Sequence, residues 1–598
     1  MSAGSARCRP AEKIRRGSAG LVILTAMKWS LRLIPGLVLW GAGPARAATP
    51  PNVLFIAVDD LNDWIGCLGG HPQTKTPNLD RLAASGVLFT NAYCPAASCN
   101  PSRSAVFSGL PPHRSGLYQN TQKMREVMPE RELLPRWFSK HGYWSAGSGK
   151  MLHYVIDPPS WEDYFPDKSK DDPFPRTFYP AKRPVSLPRG GDWQYIETDW
   201  AALDVTDEQF GGDWAVTKWI GEQLSRTHDK PFFLACGLYR PHEPWFVPEK
   251  YFEPFPIERI QLPPGYKADD LDDVPPAGQR IARNRYFAHI REQQQWKQAI
   301  RAYLASIHFA DTMLGRVLDA LEKSPHRDNT LVVLWSDHGW HLGEKEHWQK
   351  FTGWRACARV PLMIRVPQGA AGLPEGTEAG SVCTRPVSLV DLFATLTELC
   401  GLPPKTDIES RSLVPLLRDP SAPWPHAAVT HLDHPGNYAV SSERWRYLHY
   451  HDGGEELYDL AADPHEWTNL AGEPGHAAKL AEMRSLAPRS IAPAHESQPG
   501  INAFAAEVEL VPVAGTEIPG SSEGGTPVAV LFQNQRQTPV RFVRLDETGA
   551  RLESGEIQGA SRRLVQTVSG HIWRFLDENG RLIGHLVVPG KPARVKIE

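Results

Sequence analysis

The chain has 598 residues, enough for two to four domains, and its 41% hydrophobic and 22% charged content is that of a soluble globular protein. A net charge of -3 gives no bulk electrostatic case for binding nucleic acid or a membrane surface. The 8 cysteines hold no CxxC pair, and a chain of this size has core enough without a disulfide framework. Cys383 and Cys400 could pair, although nothing in their spacing demands it.

The N-terminal 1–47 reads as a signal peptide. Lys28 and Arg32 form a basic start, residues 33–40 a short apolar core, and Ala45-Arg46-Ala47 a cleavage site. Met27 offers a second start that would leave 1–26 as an overextended one. The apolar run falls short of the roughly 18 residues a membrane span needs. The expected product starts near Ala48 and is exported, periplasmic or extracellular, with no membrane span.

Residues 52–58 are an uninterrupted apolar run ending at Asp59-Asp60, the pattern of a parallel strand covered on both faces. Residues 76–85 read as a helix through Leu79 and Leu82. Residues 143–147 repeat the strand plan and lead to Lys150 and His153. The stretch 157–212, with Trp161, Tyr164, Phe165, Trp193, Tyr195 and Trp200, reads as a long, largely irregular insertion that walls a substrate site. Residues 231–237 form a third strand before His242. Residues 302–321 place Tyr303, Ile307, Ala310, Leu314, Val317 and Leu321 at helical spacing, and 330–335 form a fourth strand before Asp337-His338. Strand alternating with helix predicts an α/β, doubly wound, mostly parallel sheet. Such sheets bind ligands beyond the carboxyl ends of their strands, where these polar residues fall.

Near Pro423 the pattern changes. Residues 439–441, 445–450 and 456–459 read as short antiparallel strands, with Asp452-Gly453-Gly454 as a turn. Residues 488–526, rich in Pro, Gly, Ser and Glu, read as a linker. Beyond it 528–532, 540–545, 562–568, 572–576 and 582–588 alternate as strands of an appended all-β, sandwich-like module. Glu547-Thr548-Gly549 and Asn579-Gly580 supply its turns.

Alone, Cys99 reads as well as a structural cysteine before a turn that Pro101 starts. The run Cys99-Asn100-Pro101-Ser102-Arg103, continued to Gly109, resembles the signature of type I, formylglycine-dependent sulfatases. The resemblance extends over 51–470 and is nearest the iduronate-2-sulfatase-like branch. It implies an alkaline-phosphatase-like fold with a catalytic domain at 48–421 and a small antiparallel subdomain at 422–487. The run 456–460 with Asp463-Pro464-His465-Glu466-Trp467-Thr468-Asn469-Leu470 is similar to that subdomain.

In this family a maturation enzyme oxidises the cysteine to Cα-formylglycine before folding is complete, and a hydroxyl of the hydrated aldehyde attacks sulfur. The second hydroxyl then expels sulfate by re-forming the aldehyde. The resemblance places one Ca²⁺ on Asp59, Asp60, the modified Cys99, Asp337 and His338. Asp59-Asp60 alone would more often be a cap or a solvated turn. Gly149-Lys150-Met151-Leu152-His153 matches the family's Gly-Lys-x-x-His, with Lys150 on the aldehyde hydrate or sulfate and His153 as base. Arg240-Pro241-His242-Glu243-Pro244 matches Lys-Pro-His-x-Pro, with His242 on the sulfate and leaving oxygen. Lys350 matches the last lysine, a sulfate ligand and candidate general acid, and Arg103 would orient the formylglycine. His71, His341 and His347 receive no role.

The implied substrate is a sulfated saccharide. The alternatives are a phosphodiesterase or phosphonate monoester hydrolase of the same superfamily, and a non-catalytic binder with unmodified cysteine. In 527–598 the run Gly570-His571-Ile572-Trp573, with Asn534 and Gly549, resembles the von Hippel–Lindau β domain. His571 and Trp573 match two positions of that family's hydroxyproline pocket, but Arg544 stands where an aromatic is expected. A structural or docking module of unidentified partner is the reading there.

Overall fold

The computed structural model describes residues 50–180, 184–187, 198–495, 507–508, 511–512, 525, 527–546, 551–559, 561–590 and 593–598. The predicted signal peptide, Trp193, Tyr195 and the Glu547-Thr548-Gly549 turn lie outside them. Among the described residues no helix is long and apolar enough to cross a membrane.

An apolar run with no polar face must be covered on both sides, and the central strand is built that way. The main sheet contains β1 (Asn52–Val58), β2 (Val87–Phe89), β3 (Trp144–Gly149), β4 (Asp163–Phe165), β5 (Phe232–Leu238), β6 (Thr330–Ser336), β7 (Leu362–Arg365) and β8 (Ser381–Cys383). Their spatial order is β8-β2-β7-β6-β1-β5-β3-β4, and β7 alone runs against its neighbours. Side chains of β1 alternate between two cores. Leu54, Ile56 and Val58 face one that holds α1 (Pro77–Ala83), α3 (Asp213–Ser225) and α4 (Trp296–Glu322). Val53, Phe55 and Ala57 face the other, with α2 (Cys99–Ser108) and α5 (Leu392–Leu399). This is the doubly wound, mostly parallel sheet expected.

Boundaries moved where polar residues hid an element. The helix expected from 302 starts at Trp296, because Ala299 and Ile300 already lie on its buried face. The insertion is more regular than its composition suggests. Its Asp163–Phe165 becomes the sheet edge, and Trp200–Leu203 pairs in parallel with Trp245–Pro248. The seven described cysteines are all free, so Cys383 and Cys400 do not pair.

Beyond the main sheet, β9 (Ala428–His431), β10 (Tyr438–Ser441), β11 (Trp445–His449) and β12 (Glu455–Asp459) form an antiparallel sheet. Leu480 and Met483 of a following helix pack on Tyr438, Val440 and Tyr447. The C-terminal region contains β13 (Glu507–Val508), β14 (Val511–Pro512), β15 (Pro527–Asn534), β16 (Val540–Leu545), β17 (Arg551–Ile557), β18 (Arg562–Val568), β19 (Ile572–Leu576), β20 (Leu582–Val587) and β21 (Ala593–Ile597). They make sheets β13-β21-β15-β18 and β14-β20-β19-β16-β17 around one core. Two short strands, β13 and β14, thus fall inside the stretch expected to be linker. Trp573 does not line an open pocket. It is fully buried against Phe532 and Phe542, and its indole donates to Thr567 Oγ1 at 3.0 Å.

Candidate active site

β1, β3, β5 and β6 are parallel, so their carboxyl ends meet at one edge. Asp59 and Asp60 follow β1, Lys150 follows β3, His242 lies in the loop after β5, and Asp337 and His338 follow β6. Cys99 joins them as the first residue of α2, a helix buried along its whole length. A helix N-terminus favours negative charge at that position.

Close backbone approach sets Lys150 in place. Gly149 has φ +77, and a Cβ there would stand 2.0 Å from Gly237 O. A Cβ on Gly237 would stand 2.4 Å from the Lys150 carbonyl carbon. Glycine at both positions lets β3 and β5 stay paired to the point where Lys150 N donates to Gly237 O at 3.1 Å.

Asp60 adopts φ 57, a left-handed conformation that costs a non-glycine residue on the order of 1 kcal/mol or more. Three bonds hold it there. Its N–H donates to Asp337 Oδ1 at 3.1 Å, its carbonyl accepts from Tyr303 Oη at 2.8 Å, and that same Oη accepts Asn62 N–H at 3.1 Å. Tyr303 escaped the sequence reading, which took it only for a helix core residue.

Around Cys99 Sγ stand His338 Nε2 at 3.2 Å, Lys350 Nζ at 3.3 Å, Lys150 Nζ at 3.7 Å and Asp60 Oδ1 at 4.0 Å. Lys350 Nζ also donates to Asp60 at 2.9 and 3.2 Å and lies 3.3 Å from His242 Nε2. His242 Nδ1 is 2.6 Å from Glu243 O, which orients the ring. Arg103, fully buried, donates to Asp337 Oδ2 at 2.8 Å, Asp59 Oδ1 at 2.9 Å and the Lys150 carbonyl at 2.5 Å. It ties three strand ends to α2 and makes no hydrogen bond to Cys99. His153 stands at the margin: no hydrogen bond joins it to Cys99 or the acidic residues, and its Nδ1 is buried without a partner. It borders a cavity of about 750 Å³.

Proximity decides the charge states. Burial pushes the Cys99 thiol up, but Lys150 and Lys350 outweigh it and hold its pKa below the ordinary value. Burial raises Asp60 to about 7 despite Lys350. Asp59 is lowered: burial opposes ionisation, and Lys150 and Arg103 overcome it. Asp337 falls well below the carboxylate range for the same reason, with Arg103 the main cation. Burial would discharge His338, but Asp337 and Cys99 hold it protonated to about 9. His242 and His153 lie well below the usual imidazole value through burial and the two lysines, so both are neutral.

Lys350 rides on a strained loop. Lys345, Glu346, Gln349 and Phe351 have φ 56, 50, 86 and 77. Phe351 N–H donates to Ala97 O at 2.9 Å, and His347 Nε2 meets Lys350 O at 2.8 Å. Lys345 Nζ donates to Asp270 Oδ1 at 3.0 Å and to Glu466 O. Arg446 Nε donates to Glu466 Oε1 at 2.5 Å, and Arg446 Nη2 to Gly353 O. His341, bonded to Thr352 Oγ1 at 2.7 Å, and His347 therefore serve structure. His71 packs on Trp64, ring centroids 4.3 Å apart.

The donor atoms of Asp60, Cys99, Asp337 and His338 lie within 4.8 Å of one another, and so do those of Asp59, Asp60 and His242. Carboxylates with one imidazole suit a hard divalent cation, and this donor set fits one.

A family model described as sulfatase matches residues 51–402, and one described as N-sulphoglucosamine sulphohydrolase, C-terminal, matches 343–490. A sulfatase of Formosa agariphila is 40% identical over 459 residues, 74% of this chain and 87% of the relative. Iduronate 2-sulfatase of Homo sapiens is 31% identical over 406 residues, 60% of this chain and 71% of the relative. A protein solved in complex with its substrate D-glucosamine-2-N,6-O-disulfate shares the fold at TM-score 0.58 and 23% identity, over 73% of this chain and 97% of the other. Phosphonate monoester hydrolase of Agrobacterium radiobacter aligns at TM-score 0.57 and 25% identity, over 73% and 94%. With more than half of its length inside the family model, and with named sulfatases among its relatives, the chain belongs to the sulfatase family and is a sulfuric ester hydrolase.

Proposed function

We propose that this enzyme hydrolyses a sulfate ester on a saccharide, using a formylglycine made from Cys99 and one divalent cation, Ca²⁺. The observation that carries the reading is the ring around Cys99 Sγ, where Lys150, Lys350 and His338 stand within 3.7 Å of one sulfur. Asp59, Asp60, Asp337, His338 and the modified residue 99 would hold the cation, which would supply positive charge to the sulfuryl oxygens. The modified side chain would supply one hydroxyl to attack sulfur and a second to release sulfate.

The remaining work falls to named side chains. Lys150 and Lys350 flank position 99 and neutralise the sulfuryl group as charge moves onto the leaving oxygen. His242 is neutral, and its Nδ1–H points at Glu243 O, so Nε2 offers a lone pair to Lys350 Nζ. That leaves Lys350 as the proton donor to the leaving oxygen and His242 as the acceptor that aims it. His153, neutral and with Nδ1 unpartnered, would take the proton when sulfate departs, through a contact that forms only with substrate. Water adding to the re-formed aldehyde would restore the hydrate, and the products are the alcohol, which keeps the ester oxygen, and sulfate.

Support for a sugar substrate comes from the iduronate 2-sulfatase relatives and from the glucosamine disulfate held by a protein of like fold. Export rests on the order of basic, apolar and Ala-x-Ala segments in 1–47, and the C-terminal unit is read as a docking module. Two measurements test the whole. Mass analysis of the peptide carrying Cys99 should show formylglycine in active preparations, and activity carried by unmodified cysteine would overturn the nucleophile. Turnover of sulfated saccharides should exceed that of phosphonate monoesters and phosphodiesters; the reverse order would give the enzyme to the other branch of the superfamily.

A further inference from the structure

Residues 276–301 carry six Lys and Arg against one acid, Glu292, in a chain whose net charge is -3. Three of these cations are engaged. Arg280 meets Asp452 at 3.0 Å, Arg283 meets Glu346 at 3.5 Å, and Arg301 Nη2 donates to Phe252 O at 3.4 Å. Two others are not. Arg291, in the last turn of the helix Arg285–Glu292, and Lys297, in the first turn of α4, are exposed and have no ionic partner among the described residues.

Both line one open cleft of about 400 Å³, with Ile257, Leu262, Gln294 and Trp296. Glu258 and Glu292 are neighbours in sequence, but no carboxylate lines the cleft, and Glu292 faces His289 at 3.9 Å. No side chain caps α4 and its first turn holds no acid, so the positive end of a 27-residue helix adds to the two side chains. The floor is fixed. Trp296 packs on Tyr266 and Phe287, centroids 4.8 and 4.9 Å apart, and its indole donates at 2.6 Å to Leu342 O, at the head of the loop that carries Lys350. The cleft also lies on the catalytic side of the sheet. Tyr303 of α4 supports Asp60, and Lys297 comes six residues earlier on the same helix, about 9 Å further out at 1.5 Å per residue.

We propose that this cleft is a second, non-catalytic site that holds a sulfated polysaccharide chain by anionic groups remote from the ester being cleaved. Arg291 and Lys297 take a sulfate or carboxylate of the chain, and Gln294 meets its hydroxyls. A chain seated there is kept close to the catalytic edge between turnovers. The proposal rests on the sulfated-saccharide reading above, and it makes a polymer, rather than a free mono- or disaccharide, the form in which the substrate is first met.

The test uses the full chain and dextran sulfate as the probe, with dextran as its uncharged control. Wild type should bind dextran sulfate and not dextran, and more weakly as NaCl is raised. Arg291→Glu combined with Lys297→Glu should weaken that binding by about tenfold, the worth of two exposed ionic contacts. The same variant should leave kcat/KM for a small aryl sulfate unchanged, which a loss of fold would not. If the charge reversal disturbs folding, Arg291→Gln combined with Lys297→Gln decides, with a smaller loss in the same direction. Dextran sulfate affinity that the variants keep overturns the cleft alone, and so does an equal loss of aryl sulfate turnover. Inorganic sulfate that displaces the polymer at equal sulfate concentration would make this a site for the free ion and overturn the proposal. A DNA duplex that displaces it more readily than a sulfated oligosaccharide does would overturn it too. An enzyme that hydrolyses the aryl sulfate but no sulfated saccharide overturns the saccharide reading and the proposal together.

Discussion

Replacing Arg446 by methionine should loosen the Lys350 loop from outside the active site. The guanidinium is fully buried and bonds Glu466 Oε1 at 2.5 Å, Ser441 Oγ at 2.6 Å and Gly353 O. Methionine fills most of the stem's volume, so the loss is mainly electrostatic. Glu466, 1% exposed, keeps Arg355 N–H at 2.6 Å but loses its cation. Breaking a buried pair from one side costs about 3–5 kcal/mol, because the other charge stays behind. Glu466→Gln should cost a similar amount by orphaning Arg446. The double variant buries neither charge, so it should be at least ~2 kcal/mol more stable than the sum of the singles predicts. The strained residues Lys345, Glu346, Gln349 and Phe351 store about 1–3 kcal/mol each, and the loop relaxes once its tie is cut. In Arg446→Met, kcat on a small aryl sulfate should therefore fall by about tenfold, the equivalent of roughly 1.4 kcal/mol of misplacement. Urea unfolding of the four proteins gives the cycle, and steady-state kinetics give kcat. Single variants that lose less than about 1 kcal/mol, or an additive double, would refute the idea that this pair holds the loop.

Cys99→Ala should abolish turnover with the urea midpoint nearly unchanged; activity within about tenfold of wild type would remove residue 99 from the chemistry. Asp59→Asn, which loses the carboxylate that faces Lys150 and Arg103, should cost on the order of 100-fold in kcat. Exhaustive chelation should cost as much, and full activity with no metal detected would end the case for a cation site. Glu344 bears on stability rather than chemistry: burial raises its pKa to about 7 from 4.5. As pH rises through that interval the unfolded chain loses this proton first, so the residue's contribution to stability declines by up to about 3 kcal/mol and levels off above pH 7. Glu344→Gln should then gain more over wild type at pH 8 than at pH 5; equal differences in midpoint at both values would show that the carboxyl does not titrate late.

Most of the strands that carry the site were legible as largely apolar runs followed by polar residues, as Asn52–Val58 stops at Asp59-Asp60. The cluster around Cys99 was legible because each member sits in a local motif. His153 is the exception, with no bond to the others, since a motif gives spacing along the chain and not reach. Contacts between distant segments left no local trace. Nothing in the run around Glu466 announces Arg446 or Lys345 as its partners, and nothing marks Tyr303 as the support of Asp60. The edge strand Asp163–Phe165 was hidden because Asp163 breaks its apolar run, and an edge tolerates that where a centre would not.

Cys99 has no exposed surface, and the turn of α2 that follows it is buried as well, which leaves no route to a protein-sized catalyst. Under the proposed chemistry, each molecule's competence is thus settled once, during the interval between synthesis and closure of the sheet. A purified batch becomes a frozen census of how many chains were met in that interval. Its specific activity reports the cell's history, and no later treatment of the folded enzyme revises it. Adding the maturation enzyme to folded protein should leave the rate where it was, whereas refolding in its presence should raise it.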